Sequence, residues 1–248
     1  MKTTTHLAAS AAVAAAFAAL YLRHRRRAKP MVRLTYLDMP GFAEAIRLAF
    51  KHGNIEFEDR RITYAQVHEL RISGALPFGQ VPVLEIDGVT FGQSDAILRW
   101  VGCRSGLYPE HLRLKIDGAL ACIADINTAF VPQFYGNALG RNPRTGQLFA
   151  ATALSEEQQA AVERHLNEDV LPARFAQLER FLVSSGGPHL CGKQMTVCDL
   201  TLYVLLTGLR DGSYCRGSIS PAVLQDCPKL NASVDLVASN LRARGAVK

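Results

Sequence analysis

No two of the six cysteines (Cys103, Cys122, Cys191, Cys198, Cys215, Cys227) form a C-x-x-C pair, and none has the spacing of a metal-ligand set. That excludes zinc-ribbon and dithiol redox-motif readings, and a reducing compartment fits, with the thiols as small apolar side chains in helices. Acidic residues are missing before Asp38, whereas residues 1–30 hold six Lys/Arg. The net charge of +6 therefore belongs to this leader. The remainder is close to neutral, which argues against a nucleic-acid-binding face. There is a single tryptophan, Trp100, expected in the core. No internal repeat or low-complexity tract follows residue 30. At 248 residues and 48% hydrophobic, the chain can build one large or two small cores.

The leader has no formal charge from Thr3 to Leu22, and Arg23-His24-Arg25-Arg26-Arg27 follows at once. A helix over positions 3–22 would be about 30 Å long, enough for a bilayer core. Nine of the residues 7–22 are alanine, so its hydrophobicity is marginal. Charge placed after the apolar run keeps the downstream side cytosolic. The expectation is a membrane anchor with a cytosol-facing domain, on an organelle outer membrane for example. A cleaved transit peptide to a mitochondrion or plastid, or a cleaved secretory signal, remains open.

Positions 32–37 alternate as a strand, and 42–53 carry apolar residues at helical spacing with Gly53 as a stop. Positions 55–62 read as a second strand and 63–76 as a loop or short helix. Residues 78–88 (FGQVPVLEIDG) read as a loop, a strand and an Asp87-Gly88 turn, followed by a second strand at 90–91. Val81-Pro82 is a candidate cis peptide. Ser94 is expected as the N-cap of a helix over 94–103. From Leu112 onward the pattern is helical: one segment over 112–139 bent or broken at Pro132, a loop at 142–146, and one from Ser155 to about 183 kinked at Pro172. A buried helix over 200–209 follows a Thr196–Asp199 capping box, and a last helix opens near 226–230.

The segments 34–36 (LTY), 77–85 (PFGQVPVLE) and 93–97 (QSDAI) resemble the cytosolic glutathione transferases, closest to the sigma class, and the likeness runs from about residue 31 to the C-terminus. It implies a thioredoxin-like α/β domain over 31–108 and an all-helical domain over 109–248, behind the leader at 1–30. It also implies glutathione as co-substrate, with no metal. Tyr36, at the end of the first strand, matches the residue that activates the glutathione thiol. Val81, held by Pro82, would pair its backbone with the cysteinyl unit, and Gln80 would orient the peptide. Gln93 and Ser94 would hold the γ-glutamyl carboxylate at a helix N-terminus, and Arg71 the glycyl carboxylate. Asp125 would reach glutathione across a homodimer. Leu37, Phe42, Asn127, Phe130 and Phe134 would wall the pocket for a hydrophobic electrophile. Thr196 and Asp199 are assigned to folding.

Two departures stand out. Phe42 occupies a position where the sigma pattern has an arginine, and Pro40 one where a basic residue is usual. No cysteine stands in the turn after the first strand, which argues against thiol-disulfide exchange. The resulting expectation is conjugation of glutathione to electrophiles, with hydroperoxide reduction or prostaglandin isomerisation within reach of the same thiolate. The alternative is a transferase-like binding or structural protein with little turnover.

Overall fold

The computed structural model describes residues 31–139, 155–213 and 219–247, with side chains as far as residue 129 in the first stretch. The leader, the 142–146 loop and Cys215 lie outside the described residues. Among the described residues no helix is long and apolar enough to cross a membrane.

The first domain runs β1 (Val32–Leu37), α1 (Glu44–His52), β2 (Glu58–Ile62), α2 (Tyr64–Ile72), β3 (Val83–Ile86), β4 (Val89–Gly92) and α3 (Ser94–Ser105). The strands lie in the order β2-β1-β3-β4. β1 and β2 are parallel because a helix returns the chain between them, and the other pairs are antiparallel. Five of the six β1 residues are buried, which fixes this strand in the centre of the sheet. Asp87 (φ 50°) and Gly88 (φ 83°) make the tight turn between β3 and β4, as an Asp-Gly pair should.

Two elements differ from expectation. The second strand begins only at Glu58. Upstream, the Ile55 N–H closes the end of α1 by donating to the Phe50 carbonyl, and the Phe57 ring stacks on Phe50 at 4.3 Å. The apolar residues at 55 and 57 thus finish a helix rather than extend a sheet. Residues 64–72 form a full helix, opened by a capping box in which Thr63 and Gln66 satisfy each other's backbone N–H.

The second domain comprises α4 (Arg113–Leu139), α5 (Glu156–His165), α6 (Leu171–Ser184), α7 (Val197–Arg210) and α8 (Pro228–Ala243). α4 is unbroken at Pro132, where a bend or a break was expected. The expected single helix from Ser155 is two, joined by a wide π-helical turn over Leu166–Val170 just before Pro172. Pro172 has no N–H to give the preceding turn, so the hydrogen-bond ladder widens there. α7 is the core helix, with Val197, Leu200, Leu202, Leu205, Leu206 and Leu209 buried. Its start meets the first domain: the Val197 N–H donates to the Leu107 carbonyl at 2.9 Å. A Cβ on Gly102 would lie 2.6 Å from Val197 Cγ1, so glycine lets the two domains close. At the other end, Lys51 Nζ donates to the Ala246 carbonyl at 3.0 Å and ties the C-terminus to α1.

The N-terminus of α8 is capped from another helix. Glu179 accepts the Lys229 and Leu230 N–H groups at 2.8 and 2.7 Å. The same carboxylate, after burial, helps push the nearby Cys227 thiol up to about 11. Glu179→Gln removes the charge from this helix end and turns one acceptor into a donor. Thermal unfolding should then show a loss of about 1–2 kcal/mol.

Candidate active site

Tyr36 is the last residue but one of β1, with 5% of its surface exposed. Its phenol oxygen accepts the Phe42 N–H at 3.2 Å. Phe42 belongs to a short 3-10 turn (Gly41–Ala43) that leads into α1. The chain can pass this close to the phenol only because residue 41 is glycine. Gly41 has φ +43°, and a Cβ there would fall 2.5 Å from Tyr36 Oη. The turn between strand and helix is held from behind by Arg47, whose side chain is almost wholly buried. Arg47 Nη1 donates to the Met39 and Pro40 carbonyls at 2.9 and 3.3 Å. Its Nε meets both oxygens of Asp59 at 3.0 and 3.1 Å. Arg61 joins Asp59 to Asp38 on the turn itself.

Next to this turn lies the loop into β3. The Val81-Pro82 peptide is cis. The Val81 backbone makes no hydrogen bond with the described residues, so an extended ligand can pair with it. Arg71 Nε donates to the Gly79 carbonyl at 2.7 Å, which anchors the loop. Gln80 is half-buried in the same loop.

The helix start departs from the sequence reading. Ser94 is the first residue of α3 and not its N-cap; Gln93 is the capping residue, and its side chain makes no capping bond. Gln93 sits at φ 73°, ψ 109°, a region unfavourable for a residue with a side chain. Ser94 and Asp95 line the cleft between the domains at the α3 N-terminus. The N–H groups at a helix N-terminus can donate to a carboxylate, and the Asp95 carboxylate can accept from an ammonium group, so this end of α3 suits a zwitterionic amino-acid head.

Gly41, Phe42, Ser94 and Asp95 line one wall of that cleft, and Ala124, Asn127, Thr201 and Val204 the other. Two of the expected pocket residues, Phe42 and Asn127, are therefore present. Leu37 is packed in the core beneath the turn and does not line the cleft. Phe130 and Phe134 fall in α4, but their side chains lie outside the described residues. Asp125 is exposed on α4 and is not among the cleft residues. Trp100, expected in the core, is half-buried with Arg104 stacked 3.5 Å above its ring. Among the described residues no cluster of His, Cys, Asp and Glu is placed to hold a metal ion.

Sequence reasoning missed Gly41, Arg47, Asp95 and Thr201. Gly41 had a signal, the Pro-Gly pair after a strand. Arg47 had none, since an arginine inside an amphipathic helix normally reads as solvated.

Comparison with known proteins agrees with this geometry. The profile of the glutathione S-transferase N-terminal domain matches residues 32–102, and that of the C-terminal domain residues 146–242. Glutathione S-transferase 1 of Ascaris suum is 30% identical over 178 residues, covering 70% of this chain and 77% of its own. Human hematopoietic prostaglandin D synthase is 46% identical over 103 residues, 41% of this chain and 51% of that protein. The crystal structure of the Ascaris lumbricoides glutathione S-transferase superposes with a TM-score of 0.66 at 27% identity, covering 86% of this chain and 95% of that one. With both domain profiles in order and a relative matched over more than two thirds of each chain, this chain belongs to the glutathione S-transferase family and is a glutathione transferase.

Proposed function

We propose that Tyr36 donates its phenol O–H to the sulfur of bound glutathione and so stabilises the thiolate, which attacks an electrophile held in the interdomain cleft. The observation that carries this reading is the Phe42 N–H on the Tyr36 oxygen at 3.2 Å. A phenol oxygen that accepts an N–H has a more polarised O–H and is a stronger donor. The thiol proton leaves to solvent and sulfur bonds to the electrophile carbon; in chlorodinitrobenzene the carbon–chlorine bond breaks and chloride leaves with its electron pair, and in an addition the displaced π pair takes up a proton from solvent.

Magnitudes decide whether one tyrosine suffices. The thiol starts near pKa 8.5, and lowering it to about 6.5 requires roughly 2.7 kcal/mol. A hydrogen bond to a charged group supplies about 1.5–3 kcal/mol. Tyr36 alone reaches this range only at its upper end. The backbone N–H of Phe42 takes the place of a side-chain donor at position 42, so that the phenylalanine there is compatible with turnover and not a mark of a silent binding protein.

Val81 and Gln80 hold the peptide of glutathione, Arg71 the glycyl end, and Gln93 and Ser94 the γ-glutamyl carboxylate. In this reading the enzyme is sigma-like. Its local likeness to human hematopoietic prostaglandin D synthase supports a prostaglandin endoperoxide among its substrates. A homodimer is supported by an apolar groove of about 380 Å³ that includes Phe78, Phe91 and Trp100. Phe78 and Phe91 are 61% and 48% exposed. Asp125, exposed on α4, would then reach glutathione in the partner. Positions 3–22 would tether the enzyme to a membrane facing the cytosol.

The test is a titration of the ultraviolet thiolate absorbance of glutathione bound to the wild-type chain, beside turnover of chlorodinitrobenzene and of a prostaglandin endoperoxide. A bound thiol pKa lowered by about one to two is expected, which is about 1.4–2.7 kcal/mol. Bound glutathione with an unmoved pKa would overturn the tyrosine mechanism. Conjugation without endoperoxide turnover would remove the isomerase reading and leave the transferase.

A further inference from the structure

Arg47 is 1% exposed, and burying a guanidinium is costly unless every donor is matched. Here it is matched. Besides both Asp59 oxygens, Nη1 reaches Glu44 Oε2 at 3.1 Å, and Nη2 reaches the Leu37 carbonyl at 3.5 Å. With Met39 and Pro40, Arg47 therefore donates to three carbonyls within the one turn that separates Tyr36 from Phe42. Stability alone does not call for this, because a well-packed apolar side chain generally serves a core at least as well as a buried ion pair. The carbonyls it grips belong to the segment whose two ends must meet, the phenol oxygen of Tyr36 and the N–H of Phe42. The guanidinium carbon also lies 5.9 Å from the centre of the Tyr36 ring.

We propose that Arg47 is a positioning residue for thiol activation: by gripping the Leu37, Met39 and Pro40 carbonyls it fixes the turn so that the Phe42 N–H meets the Tyr36 phenol oxygen. The inference rests on the reading of Tyr36 above. Lysine keeps the charge but lacks the planar fork, so it cannot reach these carbonyls and Asp59 together.

The experiment compares pH profiles of kcat at saturating glutathione for the wild type, Arg47→Lys, Asp59→Asn, Glu179→Gln and Tyr36→Phe. A fifth variant replaces Phe42 by phenyllactate, which exchanges its backbone N–H for an ester oxygen and keeps the ring. Arg47→Lys should raise the bound thiol pKa by about one, so kcat falls about tenfold near pH 6 and approaches the wild-type value above about pH 9. KM for glutathione should change less than about twofold, because the peptide cradle is untouched. The phenyllactate variant should give the same profile. Asp59→Asn, which retains Arg47 but loosens it, should move the profile the same way by about threefold, and it carries the test if Arg47→Lys does not fold. Glu179→Gln lowers stability far from the site and should keep the wild-type profile. Profiles of Arg47→Lys and Asp59→Asn that overlay the wild type, with loss confined to the melting temperature, would overturn the inference. If those two overlay while Tyr36→Phe moves, only Arg47 loses its role. If Tyr36→Phe overlays as well, the reading of Tyr36 falls with it.

Discussion

Tyr36→Phe should raise the thiol pKa of bound glutathione by about one to two and slow conjugation near pH 6 by about ten- to a hundredfold. The size follows from the single interaction removed. The ring is buried and phenylalanine fills the same space, so the strand and the core lose little. What disappears is the O–H proposed as donor to the thiolate, a bond worth about 1.5–3 kcal/mol, and a thiol pKa rises by about one for each 1.36 kcal/mol lost. The direction with pH is fixed. Below both pKa values the thiolate fraction falls about tenfold for every pH unit by which the variant's thiol pKa exceeds that of the wild type, and above both the two enzymes carry the same thiolate. The deficit should therefore be full in mild acid and shrink as pH rises past the variant's thiol pKa. A deficit that is constant across pH would show that the hydroxyl orients the substrate rather than the charge. A second consequence is local: the hydrogen bond from the Phe42 N–H to the phenol oxygen is lost, so the turn should loosen and the melting temperature fall slightly.

The largest stability effect is expected at Asp199→Ala. The Asp199 carboxylate is 1% exposed and accepts three hydrogen bonds: the Leu190 N–H, the Thr196 N–H and the Thr196 hydroxyl, each at 2.8 Å. It joins the loop before α7 to the first turn of the helix at the centre of the second domain. Truncation orphans two buried backbone N–H groups at about 1–3 kcal/mol each and leaves a small cavity. A loss of about 3–5 kcal/mol is expected, enough to lower the melting temperature by roughly 10 °C in a chain of this size. The pH dependence has a definite sign. Burial holds the Asp199 carboxyl above its usual range in spite of the hydrogen bonds from Leu190 and Thr196. An acid whose folded pKa is raised contributes its titration-linked stability fully below the unfolded value, near 3.9, and loses it as pH rises through the folded value. The stability gap between wild type and Asp199→Ala should thus be wider near pH 4 than near pH 8. A gap that widens with pH instead would show a carboxylate stabilised in its charged form.

The Asp-Gly turn, the cis Val81-Pro82 bond and the Thr196–Asp199 box were legible because each is a local arrangement that few residue types permit. The second domain was legible as helices, but the effect of each proline on its helix was not. Pro132 lies within a continuous helix, and Pro172 follows a π-helical turn. A proline shows where a ladder bond is lost; the surrounding packing decides whether the helix breaks, widens or continues.

The sequence by itself determined the order of strands and helices, the β3–β4 hairpin, the all-helical second half and the place of Tyr36 in the first strand, because these follow from periodicity and turn chemistry within a few residues; the thioredoxin-like pairing and the domain division came from the family resemblance. Only the tertiary structure decided that the Phe42 N–H meets the Tyr36 oxygen, that Gly41 gives the phenol its room, and that Arg47 grips the carbonyls of the turn between them. Those contacts join β1, β2 and α1, and a hydrogen bond between elements exists only once the sheet and helix have packed and excluded water from both partners.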